Sequence, residues 1–267
     1  MIWVKSMQAD IFKKKKLNTA VFILLVCFVT FIAATITEFS IAKGIASVPK
    51  AIQWSFSNFY PTKESLTKLP DILDKMKETL LISIAATTVA ALLAMIFAIF
   101  GSTATRVNAF FGGICRGIAT VFRNIDTAAW AMILLFSFGQ SPLTGYFALF
   151  FGSFGFLTRA FVETIDEVSS SSVEALKATG ASYFTIIFQS VIPSCIPQII
   201  SWVLFMVETN IRSATLVGLL AGSGIGFAFD LYYKSLNYHT ASLVVIVIVV
   251  SILFIELISN YVRRVIL

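Results

Sequence analysis

Charge is what this sequence has least of. Only 13% of its 267 residues are Asp, Glu, Lys or Arg, against about a quarter in an ordinary soluble domain. Histidine occurs once, as His239, and cysteine three times, as the isolated Cys27, Cys115 and Cys195. With no CxxC pair and a single imidazole, the ligands of a zinc or redox centre are missing, and neither a metal nor a cofactor is expected. No Gly-Lys dipeptide occurs anywhere. That removes the Walker A loop, so the chain cannot hydrolyse ATP alone, and no catalytic residue is nominated. In place of charge there is apolar material, 58% of the chain with 26 phenylalanines. It is gathered into charge-free runs long enough to cross a bilayer, which excludes a water-soluble enzyme.

The few charges sit at the edges of those runs. The net charge is +6 and the pI about 9.3, yet the bases form no polar face of the kind that binds a duplex. Lys13, Lys14, Lys15 and Lys16 stand immediately before the first apolar run, and Arg263 and Arg264 immediately after the last. That arrangement suits topology determinants and contacts with a lipid bilayer, not with nucleic acid.

The first run, Leu17 to Thr37, exceeds the apolar region of a cleaved signal peptide, and no A-x-A site follows it; it reads as a retained spanning helix. A second run extends from Thr79 to Thr105. A third, Thr127 to Thr158, is too long for one crossing and holds the turn formers Gly139, Gln140, Ser141 and Pro142 in its middle. It reads as two helices joined by a tight turn. A fifth span begins near Ile196 and passes Val207 into a segment holding Glu208 and Arg212, and a sixth runs from about Ala241 to Val262. The expected fold is an all-α integral membrane protein of about six transmembrane helices.

Six crossings put both termini on one side. On that topology twelve Lys and Arg fall on the side of the termini and seven on the other, and the lysine run before the first helix makes the terminal side the cytoplasm. The expected organisation is a basic cytoplasmic tail over 1–16, a first transmembrane helix over 17–39 and an extracytoplasmic segment over 40–77. A transmembrane domain over 78–262 and a cytoplasmic end over 263–267 complete it, in the cell membrane. In the outer segment Leu69, Ile72, Leu73, Met76 and Leu80 form a helical apolar stripe opposite Lys68, Asp71, Asp74, Lys75 and Lys77. That pattern predicts an interfacial amphipathic helix leading into the second span.

The cytoplasmic loop over 163–194 has a more specific design. Ser171 and Glu174 have the spacing of a capping box, predicting a helix that starts at Ser172 or Val173. It runs through VEALKAT to Gly180, a residue suited to the left-handed position after a helix. A second, apolar helix, ASYFTIIFQSVIP, follows and is expected to be interrupted at Pro193 and Pro197. Here the chain resembles the membrane permease subunits of type I ABC importers. Their loop reads EAA, three residues, Gly, nine residues, Ile, any residue, Leu, Pro. Glu174, Ala175, Gly180 and Pro193 occupy the pattern's places, while Leu176 replaces the second alanine, Ser190 the isoleucine and Ile192 the leucine.

The resemblance sharpens toward the phosphonate importer permeases over roughly residues 60–262. It is carried by EALKATGAS, by ETNIRSATLVGLLAGSGIG from Glu208 to Gly226, and by RNIDTAAWAMILLFSFGQSPLTGYFAL, where Asp126 stands at a position usually proline in that subfamily. It implies the MetI-like permease fold, with the loop as a coupling helix that docks into a separate ATPase subunit through Glu174, Ala175, Leu176, Gly180 and Pro193. It also implies an extracytoplasmic substrate-binding protein, a second permease copy in a homodimer, and a path for phosphonate or a related phosphorus oxyanion.

Glu208, Asn210 and Arg212 interrupt an otherwise apolar span and are the candidates for the substrate path. Glu208 and Arg212 are four residues apart and can equally neutralise each other on one helix face. If these residues serve the path, Arg212→Gln is expected to lower oxyanion uptake and Glu208→Gln to lower it less, because Glu208 carries the charge sign of the oxyanion. Gly218, Gly222 and Gly226 recur every fourth residue with Gly224 between them, a pattern of close helix packing or a gate turn rather than of a dinucleotide loop, since no strand precedes it. Permeases for other small solutes would share these features. A secondary transporter driven by an ion gradient would need intramembrane acidic relays or inverted repeats, and a membrane scaffold would not need polar residues around Arg212.

Overall fold

The computed structural model describes residues 2–266, and its regular elements are all helices. The chain divides into two units, one ending at Ser57 and one beginning at Asn58.

The first unit holds α1 (Ile2–Ile36) and all but the last residue of α2 (Ile41–Asn58). Lys14–Ile36 is long and apolar enough to span a membrane. Hydroxyls exposed there are satisfied within the helix: Thr19, Thr30 and Thr35 each donate to the carbonyl four residues back, at 2.9, 2.8 and 2.6 Å. α2 has no counterpart in the sequence reading, because Gly44 and Pro49 interrupt its pattern with residues that ordinarily break helices.

The second unit is built on two long helices, α4 (Leu69–Gly101) and α7 (Pro142–Val168). Between them runs a row of fully buried small residues on α4, Ala86, Ala90, Ala94 and Ala98. Alanine every fourth residue lets the backbones approach closely, and in lipid such packing, not hydrophobic burial, holds helices together. The larger Phe154, Leu157, Phe161 and Ile165 of α7 fill the facing surface.

The stripe Ile72, Met76, Leu80 does not form a separate interfacial helix. These residues are the first turns of α4 itself, packed with Ile211, Ile225 and Val244 in one core cluster. The charged face covers only about two turns, and no helix breaker separates it from the apolar run. A single turn, α3 (Lys63–Leu66), precedes α4 and is closed by a reciprocal capping box between Thr62 and Ser65.

The third apolar run forms the expected two helices joined by a turn at residues 139–141, but the first of them is short. α5 (Ala109–Asn124) and α6 (Thr127–Phe138) meet at a 90° bend. The 12 residues of α6 reach about 18 Å at 1.5 Å per residue, short of the roughly 30 Å hydrocarbon core. Asp126 makes the break: its carboxylate accepts from the Ala128 amide at 2.8 Å and starts α6. Among the described residues, five helices are long and apolar enough to span, or six if α5 and α6 count as one broken span.

α8 (Ser170–Ala178) and the single turn α9 (Tyr183–Ile186) follow α7. α9 passes through a π turn, Ile187–Val191, directly into α10 (Ile192–Ala221). The prolines therefore do not interrupt the helix. At the π turn the Ile192 amide bonds the Ile187 carbonyl five residues back, and this wider winding absorbs Pro193 in the first turn of α10. α11 (Gly224–Lys234) and α12 (Tyr238–Ile266) complete the chain.

Candidate functional site

Two groups of residues are candidates for a functional site: the short helix α8 with the loop it holds, and a charged cluster on α10. Ser169 both ends α7 and begins α8; it is fully buried and its Oγ donates to the Ile165 carbonyl at 2.6 Å. The expected capping box is not formed. The helix starts at Ser170 without a side-chain cap, which leaves Ser171 and Glu174 inside it and exposed. Ser169, at the junction of the two helices, turns its hydroxyl back into α7 and does not cap α8.

α8 is seated by Val173, buried, and Leu176, half-buried, against Ile186, Ile187 and Val191. Glu174 and Ala175 point the other way, into solvent. Leu176, which replaces the pattern's second alanine, is thus an inward anchor rather than part of the free face. Gly180 has φ +79°, a backbone that L side chains resist. Its amide bonds the Lys177 carbonyl and that of Ala181 bonds Leu176, both at 3.1 Å, closing the helix end. Pro193 lies exposed at the start of α10.

Two residues absent from the sequence reading tie this helix to the rest of the unit. Lys177 Nζ donates to the Ala104 carbonyl oxygen at 2.9 Å. Asp166 Oδ1 accepts from Ser102 Oγ at 2.5 Å, Thr103 Oγ1 at 2.9 Å and the Ala104 amide at 3.2 Å. The turn between α4 and α5 is therefore held by α7 and α8 together. Their partners lie more than sixty residues away, so no local pattern in the sequence marks them.

On α10 the structure separates the three polar candidates. Glu208 and Arg212 form an ion pair at 2.9 Å, Glu208 with 11% of its side chain exposed and Arg212 with 46%. A third charge joins them from α12: Arg263 Nη2 lies 3.7 Å from the other Glu208 oxygen. Arg263 Nε and Nη2 are buried without a hydrogen-bond partner, so one carboxylate serves two guanidiniums. Sequence reasoning placed Arg263 only as a flank, because its meeting with Glu208 depends on α12 packing against α10.

Asn210 is not part of that cluster. It is 1% exposed, and its Nδ2 donates to Thr87 Oγ1 at 2.8 Å and Ser153 Oγ at 2.6 Å. Those hydroxyls donate in turn to the Ser83 and Leu149 carbonyls. Asn210 is a knot joining α4, α7 and α10, with both amide protons used. As residue i+2 from Glu208 it must face the opposite side of the helix.

The glycines build the joint between α10 and α11. Gly222 and Gly224 have φ +67° and +63° and make the turn. A side chain at Gly226 would strike the Thr215 carbonyl, and one at Gly218 the Ser223 carbonyl. The Ile225 amide donates to Thr79 Oγ1 at 2.8 Å, which fastens the joint to α4.

Several apolar helices long enough to span, with a short helix between two of them that presents a free face, define a multi-pass membrane protein. Over residues 90–266 the chain matches, and so belongs to, the family described as binding-protein-dependent transport system inner membrane component. It is 29% identical to the phosphate-import permease protein PhnE of Mycolicibacterium smegmatis over 71% of this chain and 36% of that one. To the phosphite transport system permease protein PtxC of Stutzerimonas stutzeri it is 26% identical over 70% of this chain and 68% of that one. This chain thus spans little more than a third of the length of the Mycolicibacterium protein. Its fold aligns with a chain of the inward-facing MetNI methionine ABC transporter at a TM-score of 0.65, with 15% identity, over 77% of this chain and 99% of that one. At that identity the likeness concerns the fold alone, and the fold is the expected MetI-like one.

Proposed function

We propose that this chain is the membrane-spanning subunit of an ATP-driven importer for phosphonate or a related phosphorus oxyanion. In that reading a separate ATPase subunit supplies the work, an extracytoplasmic binding protein delivers the substrate, and a second copy of the chain completes the path. The observation that carries it is α8: Glu174 and Ala175 are free while Val173 and Leu176 anchor the helix. A short helix with one anchored and one free face can sit in a partner's groove and pass a push to the spans behind it. Lys177 and Asp166 supply the connection, since displacement of α8 pulls on the turn that joins α4 to α5.

The substrate assignment draws on the phosphate and phosphite permeases that the chain resembles and on the charge of the α10 cluster. One carboxylate against two guanidiniums leaves one net positive charge. The half-exposed Arg212 keeps N–H donors beyond those facing Glu208, and these suit an oxyanion that must bind and leave. Both termini and α8 lie in the cytoplasm in this reading, following the lysines before α1.

The test is reconstitution with a partner ATPase subunit and an extracytoplasmic binding protein. Stimulation of ATP hydrolysis by binding protein loaded with phosphonate, phosphite or phosphate is the expected result. ATP hydrolysis indifferent to all three loaded forms, with uptake that follows an ion gradient, would overturn it.

A further inference from the structure

α5 carries a second concentration of positive charge that the transport reading does not use. Arg116, Thr120, Arg123 and Asn124 share one helical face and open onto Arg159 and Glu163 of α7 across a cleft of about 710 Å³. Its floor is the buried Ala119, Thr158 and Val162. The walls are rigid relative to each other, because Gly155 of α7 packs directly on the backbone of Phe122 and Arg123, where a Cβ would overlap it. The cleft has the size of an ordinary small-ligand site.

Its donors are almost all guanidinium. Glu163 is engaged by Arg159 Nε at 2.7 Å, which leaves both Nη groups of Arg159 outside that bond. Arg116 and Arg123 have no ion-pair partner among the described residues. The hydroxyl protons of Thr120 and Thr158 go to the Arg116 and Phe154 carbonyls, each at 2.7 Å. One Asn124 amide proton goes to the Thr120 carbonyl at 2.8 Å. What remains is three arginines against one carboxylate, which repels cations and neutralises anions.

Unpaired guanidiniums in a membrane protein are costly unless they face water or an anion. Their planar forks match tetrahedral oxyanions in a bidentate fashion, and unlike lysine they hold that geometry. We infer that the cleft between α5 and α7 is a binding site for a phosphate group. Two sources share that chemistry, a free phosphorus oxyanion and the headgroup of an anionic phospholipid. The inference does not rest on the transport reading, since it needs neither the ATPase nor the binding protein.

The experiment uses the full chain in nanodiscs of phosphatidylcholine and of phosphatidylcholine with phosphatidylglycerol. Radiolabelled inorganic phosphate binding is read by equilibrium dialysis, and retained phosphatidylglycerol by native mass spectrometry. The Arg116→Gln/Arg123→Gln variant is compared with wild type and with Lys63→Gln, a charge loss outside the cleft. Phosphate binding weakened about tenfold or more in the double variant alone supports a free anion, by the loss of two charge-assisted contacts. No phosphate binding by wild type, with phosphatidylglycerol retained by wild type and lost from the double variant, supports the headgroup. Because the double variant can fail to fold, phenylglyoxal modification of Arg116 and Arg123 is also followed in wild type. Slower modification in the presence of phosphate or phosphatidylglycerol supports the site. Equal modification rates throughout, with neither ligand held, overturn it, and they would do so whether or not transport is later demonstrated.

Discussion

Lys177 Nζ reaches the carbonyl oxygen of Ala104 at 2.9 Å, seventy-three residues back along the chain. The residue that closes the last turn of α8 is thereby bonded to the turn that also hangs on Asp166. The contact ties the end of α8 to the turn that follows α4.

Lys177→Met should leave insertion intact and lower the stimulation of ATP hydrolysis, and Asp166→Asn should do so more strongly. The carboxylate accepts three hydrogen bonds, and bonds to a charged group contribute about 1.5–3 kcal/mol each. Hydrogen exchange should rise in residues 102–106 of both variants. Unchanged exchange there would show that Lys177 and Asp166 do not hold this turn.

Glu174→Lys and Gly180→Val address docking itself. Glu174 is exposed and outside the hydrogen-bond network, so its reversal should cost little stability but reduce copurification of the ATPase subunit. Valine at φ +79° should strain the end of α8 by about 1–3 kcal/mol and uncouple uptake from hydrolysis. Normal association and uptake in both variants would count against a docking role.

For the α10 cluster, Glu208→Gln should reduce folded protein more than Arg212→Gln does. It leaves two guanidiniums without their counter-charge, and Arg263 has its Nε and Nη2 buried. Arg212→Gln should instead reduce uptake per folded transporter. Arg263→Gln combined with Glu208→Gln should recover part of the folded protein, as a coupled pair does in a double-mutant cycle. Equal uptake by Arg212→Gln and wild type would end its assignment to the path.

Asn210→Ala should destabilise without a specific transport defect. Interhelical hydrogen bonds in lipid are worth about 0.6–2 kcal/mol, and two are lost together here. Melting in detergent and uptake per folded molecule separate the two effects; a selective loss of uptake would return Asn210 to the path.

Topology is open to cysteine labelling in intact cells. A cysteine placed at Ser172 should react only with a permeant reagent and one at Lys63 with an impermeant one. The reverse pattern would invert the proposed orientation.

Local chemistry made a good part of this protein legible before any coordinates. Charge-free runs announce spans because lipid solvates no unpaired charge, and an i, i+4 spacing announced the Glu208–Arg212 pair because both lie on one helix face. The left-handed residue at Gly180 followed from the loop pattern in the same way. Contacts between distant segments were decided elsewhere. Whether Asn210 faced a path or a core depended on Thr87 and Ser153 arriving from two other helices. Arg263 joined Glu208 only because α12 packs against α10. The start of the third apolar run became a half-span because Asp126 could cap a helix across a right-angled bend, and Pro193 continued a helix because the π turn before it widened the winding. The arginine cleft needed α5 laid along α7 with a glycine at the crossing. Each of these is a choice among partners of similar local propensity, and only the packing of the helices against one another makes it.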